Sequence, residues 1–167
     1  MSGANPFDVL GVALRFDLSA AVLRAAWMRR AAVEHPDADG ALDASALVND
    51  AFRTLSEPIG RATALLQARN APSVDERELP AGFLMDMIEL RERADAAVGD
   101  NAAVAALKDE ATARRAEAIT AIETLFGQAG TGTDLDRSVA QQIAVQINVV
   151  RSFDRMLEQL EREAKPL

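Results

Sequence analysis

From Leu135 to Leu160 apolar residues recur every three or four positions, with one two-turn step of seven: Leu135, Val139, Ile143, Ile147, Val150, Leu157 and Leu160. That spacing lines one face of a 3.6-residue helix and no face of a strand. A stripe of this length needs other apolar surfaces to cover it, and the chain supplies them with the same period. Val104, Leu107, Ala111, Ala118, Ile122 and Leu125 form a second stripe, and Phe83, Met87, Leu90, Ala94 and Ala97 a third. No run alternates with the two-residue period of a half-buried strand over a convincing length. The fold class expected is all-α. Hydrophobic residues make up 49% of the chain and aromatic residues only 4%, so the helices are expected to pack closely through alanine and other small side chains.

Capping and breaking residues divide the chain. Asn5-Pro6 reads as an N-cap and first helical residue and Gly11 as a stop, which predicts a short helix from Pro6 to Leu10. Ser19 can cap a second helix to about Glu34, with Leu23, Trp27 and Ala31 inward and Arg24 and Arg29 off that stripe. Arg30 lies beside it, where its stem can run along the core edge. A third helix carries Leu47, Val48, Ala51, Phe52 and Leu55, and Ser56-Glu57-Pro58 ends it. A fourth carries Ile59, Ala62, Leu65 and Leu66. The short loop between the second and third helices makes them an antiparallel hairpin. Asn70, Pro72 and Pro80 mark a linker. Three more helices follow: about 81–98, from a cap at Asp100 or Asn101 to about Phe126, and from a cap at Asp134 to about Glu163. The organisation read from this is residues 1–70, a linker at 71–80, and an antiparallel three-helix bundle over 81–167. The two units are expected to meet in an L or elongated shape.

Composition excludes several kinds of chemistry. The chain has no cysteine and one histidine, so disulfides, thiolate metal sites, cysteine nucleophiles and multi-histidine metal sites are out. No cofactor is expected. Net charge is −8, which argues against nucleic acid as a partner. The charge is uneven: residues 1–70 hold seven basic and eight acidic side chains, residues 71–167 eleven and eighteen. No apolar run approaches the ~20 residues that cross a bilayer, and the first residues lack the basic and apolar segments of a signal peptide. A soluble, cytoplasmic protein without a membrane partner is expected. The glycines between Gly127 and Thr133 are not a phosphate loop, since no strand precedes them and no Gly-Lys-Ser/Thr follows.

Two features remain once the helices are placed. The only histidine begins the triplet His35-Pro36-Asp37. Proline disfavours helical geometry in the residue before it, so His35 and Asp37 should share a loop at the tip of the hairpin, beside the face carrying Arg24 and Arg29. That arrangement suits a docking surface; a polar loop facing water is the plainer alternative. The second feature is Leu84, Met85 and Ile88, which lie off the stripe of their helix beside Glu89 and Glu92. Either a partner covers them or the first unit does.

With these residues placed, the sequence resembles a J-domain protein of the HscB family, the J-type co-chaperones of iron–sulfur cluster assembly. The resemblance rests on Asn5-Pro-Phe-Asp-Val-Leu-Gly11, His35-Pro-Asp37, Val48-Asn-Asp-Ala-Phe-Arg-Thr-Leu-Ser-Glu-Pro58, Arg61-Ala62, Leu65-Leu66 and the distant Phe83-Leu-Met-Asp-Met-Ile-Glu-Leu-Arg-Glu92. It implies an N-terminal J-domain that recruits a DnaK-type, HscA-like ATPase chaperone through His35, Pro36, Asp37, Arg24 and Arg29. It implies a C-terminal bundle that holds an IscU-like iron–sulfur scaffold through Leu84, Met85, Ile88, Glu89 and Glu92. An aromatic of the last helix also contributes in that family. Aligned on Asp154, Ser152 occupies that position and Phe153 follows it, so Phe153 is the candidate there. Three departures stand out: Glu34 where the family has an aromatic, Ala38 where it has a lysine, and Arg30 where it has an apolar residue.

A J-domain adaptor for a different client is the alternative reading. An enzyme using His35 as general base, with Asp37 orienting the imidazole, is a third. Against the third, nothing excludes water from a polar tip loop, and no nucleophile or oxyanion site converges on it.

Overall fold

A computed structural model describes residues 4–33, 41–75 and 77–163. It has seven helices: α1 Pro6–Leu10, α2 Ala20–Val33, α3 Ala41–Ser56, α4 Pro58–Ala68, α5 Phe83–Ala96, α6 Asn101–Gln128 and α7 Arg137–Glu163. No strand occurs among the described residues. Contacts group Met1–Pro72 with Phe126–Arg137 as one unit, and Ser73–Leu125 with Ser138–Leu167 as the other. No helix among the described residues is long and apolar enough to cross a membrane.

In the first unit, α1 forms as its caps dictate. Asn5 Oδ1 accepts the Phe7 N–H at 3.1 Å, and Gly11 closes the helix at φ 63°. α3 packs against α1, α2 and α4, burying Phe7, Leu10, Leu23, Ala26, Val48, Ala51, Leu55, Ala62 and Leu65. Gly60 is required where α4 crosses α3, because a Cβ there would lie 2.5 Å from the Thr54 carbonyl oxygen. Ser19 Oγ accepts the Val22 N–H at 3.2 Å and so caps α2. Trp27 is half-buried, its ring 5.6 Å from that of Phe52 and its Nε1–H donating to Asn49 at 2.8 Å.

Two positions read as inward face water. Ala31 is exposed: eight residues beyond Leu23 the helix has turned by about 80° past the seam. Arg30 occupies the nearer position, and its guanidinium donates to the Asp8 carbonyl at 3.3 Å, along the edge of the core. Leu47 is 45% exposed, one helical step of about 100° outside Val48.

The turn from Phe126 to Arg137, which the sequence assigns to the bundle, groups with the first unit. Phe126 is buried and stacks on Phe16 with ring centroids 5.7 Å apart. Arg61 lies over the Phe16 ring: its guanidinium sits 5.5 Å from the Phe16 centroid and donates to the Phe16 carbonyl at 2.8 Å and the Leu18 carbonyl at 3.1 Å. Arg69 is only 3% exposed, and its guanidinium donates to the carbonyls of Gly132 at 2.8 Å and Ala129 at 3.2 Å. The Leu135 N–H returns a bond to the Arg69 carbonyl at 3.2 Å. Arg69→Met keeps most of the stem's packing but strands two carbonyls, and urea unfolding should show a loss of about 2 kcal/mol.

In the second unit the three predicted stripes meet. Phe83, Met87, Leu90, Ala94 and Ala97, then Val104, Leu107, Ala111, Ala118 and Ile122, then Ile143, Ile147, Val150 and Leu160 are buried. Leu125, Val139 and Leu157 are half-buried. The stripe of α6 skips the turn after Ala111, where Arg115 pairs with Asp154 of α7 at 2.5 Å. α6 begins on an Asp100 cap that accepts the Ala102 and Ala103 N–H groups at 3.0 and 3.1 Å. α7 begins at Arg137, later than a cap at Asp134 would place it, because Asp134 and Leu135 belong to the turn held by Asn70 and Arg69. The segment read as a linker is fastened along α7: Gln141 bonds Asp75 at 2.8 and 3.0 Å, and Asn148 donates to the Glu78 carbonyl at 2.9 Å.

Candidate partner-binding surfaces

α5 is built to show one face and bury the other. Gly82, at φ 81°, turns the chain into the helix. Phe83, Met87, Leu90 and Ala94 then take the interior. The period leaves Leu84, Met85 and Ile88 outside at 63%, 60% and 47% exposure, beside exposed Glu89 and Glu92. Three large apolar side chains held on one rigid helix face form a patch of the kind that marks an interaction site.

Arg93 and Glu110 fix the register of α5 on α6 through a two-pronged ion pair, 3.2 and 2.7 Å. The hydrogen bonds from Arg93 hold the Glu110 carboxyl below the ordinary glutamate range, against a smaller upward push from burial. A carboxyl depressed in the folded state stabilises it above the unfolded value of about 4.3. That contribution is lost as pH falls through the lower folded value. Glu110→Gln should therefore be less stable than the parent at pH 7 and converge on it in acid, as melting curves across that range can check.

Of the candidate site residues, the structure brings Leu84, Met85, Ile88, Glu89 and Glu92 onto one surface. Phe153 is a correction. It is 2% exposed and packs edge-on against Phe83, ring centroids 5.8 Å apart, inside the bundle. One residue is a turn of about 100°, and it is Ser152 that lies toward the surface, half-buried, its hydroxyl donating to the Asn148 carbonyl at 2.9 Å.

In the first unit Arg24 and Arg29 are exposed on α2. The sequence reading missed that Met28 stands between them, 59% exposed, with Val22 at 48%; their places off the Leu23 seam were the available signal. His35, Pro36 and Asp37, with Glu34 and Ala38, lie outside the described residues. Among the described residues no three acidic, histidine or cysteine side chains cluster to hold a metal ion.

Residues 79–161, nearly all of the bundle, match the family model described as the HSCB C-terminal oligomerisation domain. A co-chaperone HscB homolog of Chromobacterium violaceum is 39% identical over 105 residues, 56% of this chain and 60% of that one. The homolog of Bordetella petrii is 30% identical over 139 residues, 77% of this chain and 82% of that one. The chain belongs to the HscB family of co-chaperones. The solved chaperone HscB from Vibrio cholerae, 26% identical, superposes with a TM-score of 0.73 over 95% of this chain and 96% of its own. The HscB architecture, a J-domain followed by a helical bundle, is thus the architecture of this chain. In HscB terms, the exposed trio lies on the first helix of the bundle.

Proposed function

We propose that this HscB-family chain is a cytoplasmic co-chaperone of iron–sulfur cluster assembly that delivers an IscU-like scaffold to a DnaK-type, HscA-like chaperone and stimulates its ATPase. The scaffold sits on Leu84, Met85 and Ile88, with Glu89 and Glu92 at the edge. The chaperone meets Arg24 and Arg29 on α2 and the loop of His35, Pro36 and Asp37. Asp37 offers a carboxylate to a cation of the chaperone; His35 and Pro36 shape the loop. Stimulation requires that this loop bind the hydrolysing state of the chaperone better than its other states. The chain itself binds and positions, and the chemistry belongs to the chaperone.

The observation that carries this reading is the apolar trio exposed on a helix whose opposite face is wholly buried. Titrating purified scaffold protein into the full chain tests it. Saturable one-to-one binding with a negative heat-capacity change, the mark of apolar burial, is the expected result. Absence of binding would sink the scaffold half of the proposal.

A further inference from the structure

Resting on that reading of the trio, we infer that the scaffold surface continues into a notch between α5 and α6, where it takes a lysine or arginine side chain of the scaffold and where Arg114 occupies the place that this side chain needs.

The order of residues around α5 sets the direction. At about 100° per residue, the exposed face runs from Leu84 and Ile88 through Met85 and Glu92 to Glu89, and then to Asp86 and Arg93 on the side that meets α6. Arg91 falls on the opposite flank, beside Leu84. The apolar trio is therefore bordered by acids on the α6 side and by a cation on the other, which orients a partner.

The notch lies at the acidic border. It has a volume of about 70 Å³, with Met87, Leu90 and Phe153 at its base and Asp86, Glu89, Arg93, Glu110 and Arg114 around it. Three carboxylates face two guanidinium groups, an excess of one negative charge. Arg93 is committed to Glu110 by its two short bonds. Glu89 makes no ion pair within 4 Å among the described residues. Arg114 is the loose member: its nitrogens lie 3.6 Å from Asp86 and 3.9 Å from Glu110, and its side chain is 47% exposed. Both distances exceed that of a hydrogen bond, and an exposed pair of this kind contributes little. The notch is open to solvent and has room for an ammonium or guanidinium group. The negative excess and the loosely held Arg114 favour a basic side chain, reaching in from a partner seated on the trio.

Opposite effects of two single substitutions test this. Purified IscU-type scaffold is titrated calorimetrically into the full chain, its Arg114→Ala and Asp86→Asn variants, and the Leu84/Met85/Ile88 triple-alanine variant, at low and high ionic strength. Arg114→Ala should bind about threefold tighter and Asp86→Asn about threefold weaker, within the range of exposed ion pairs. Both shifts should shrink at high salt, since pairs between exposed charges are screened, and thermal melting should be little changed. If Arg114→Ala binds the same or more weakly, or Asp86→Asn binds normally, while the triple variant loses binding, the notch is no part of the interface and only the trio stands. If the triple variant also binds normally, the scaffold reading fails and the notch inference with it.

Discussion

Replacing Leu84, Met85 and Ile88 together with alanine is expected to weaken scaffold binding on the order of a hundredfold and to leave the fold intact. Each side chain has about half of its surface or more in contact with water. Covering the remainder yields roughly half of the ~1.5–3 kcal/mol that full burial of such a side chain brings, so about 1 kcal/mol each and about 3 kcal/mol together, close to two decades in affinity. The folded chain loses little, because alanine favours helix and trimming exposed side chains costs within about 0.5 kcal/mol each. The buried face of Phe83, Met87, Leu90 and Ala94 is untouched. Had the trio been a structural contact, the same variant would unfold more easily and bind the scaffold normally. Thermal melting and a binding titration on one sample separate the two cases.

His35→Gln and Asp37→Asn are expected to abolish stimulation of the chaperone ATPase while binding the scaffold at the parent affinity. Both residues lie outside every apolar stripe, so the melting temperature should move little. The proposed scaffold surface is on α5, some fifty residues along the chain. Loss of scaffold binding in either variant, or normal stimulation, would contradict the division of labour proposed for the two units. Reversing charge at Arg24 or Arg29 should give a milder version of the defect and a flatter dependence on salt, as expected of an exposed cationic face.

What could be read from the sequence was whatever depends on neighbours along the chain. Asn5, Pro6 and Gly11 bound α1 because capping is local chemistry. The period of α5 separates Phe83, Met87, Leu90 and Ala94 from Leu84, Met85 and Ile88 because a helix rotates by a fixed amount per residue. What could not be read depends on residues far apart. Nothing near Arg69 announces that it will be buried on the carbonyls of Ala129 and Gly132, some sixty positions later. Nor does the apolar character of Phe126, at the predicted end of its helix, say that it will stack on Phe16. Phe153 shows the limit of alignment by residue type: an aromatic one step along a helix points elsewhere, and here it points into the core. Ala31 and Leu47 show that a narrow buried seam, with Arg30 competing for its edge, leaves flanking apolar residues in water. The notch was hidden for the same reason, since Asp86 and Arg114 become neighbours only when α5 lies on α6.

The central claim is that one chain couples a scaffold to a chaperone. Steady-state ATP hydrolysis by the DnaK-type chaperone of the same organism tests it most directly, measured with this chain, with an IscU-type scaffold, and with both. Hydrolysis with both present should exceed the sum of the two separate stimulations, and the excess should vanish in the Leu84/Met85/Ile88 alanine variant while the stimulation by the chain alone survives. A rate unchanged by the chain, with or without the scaffold, would contradict the account.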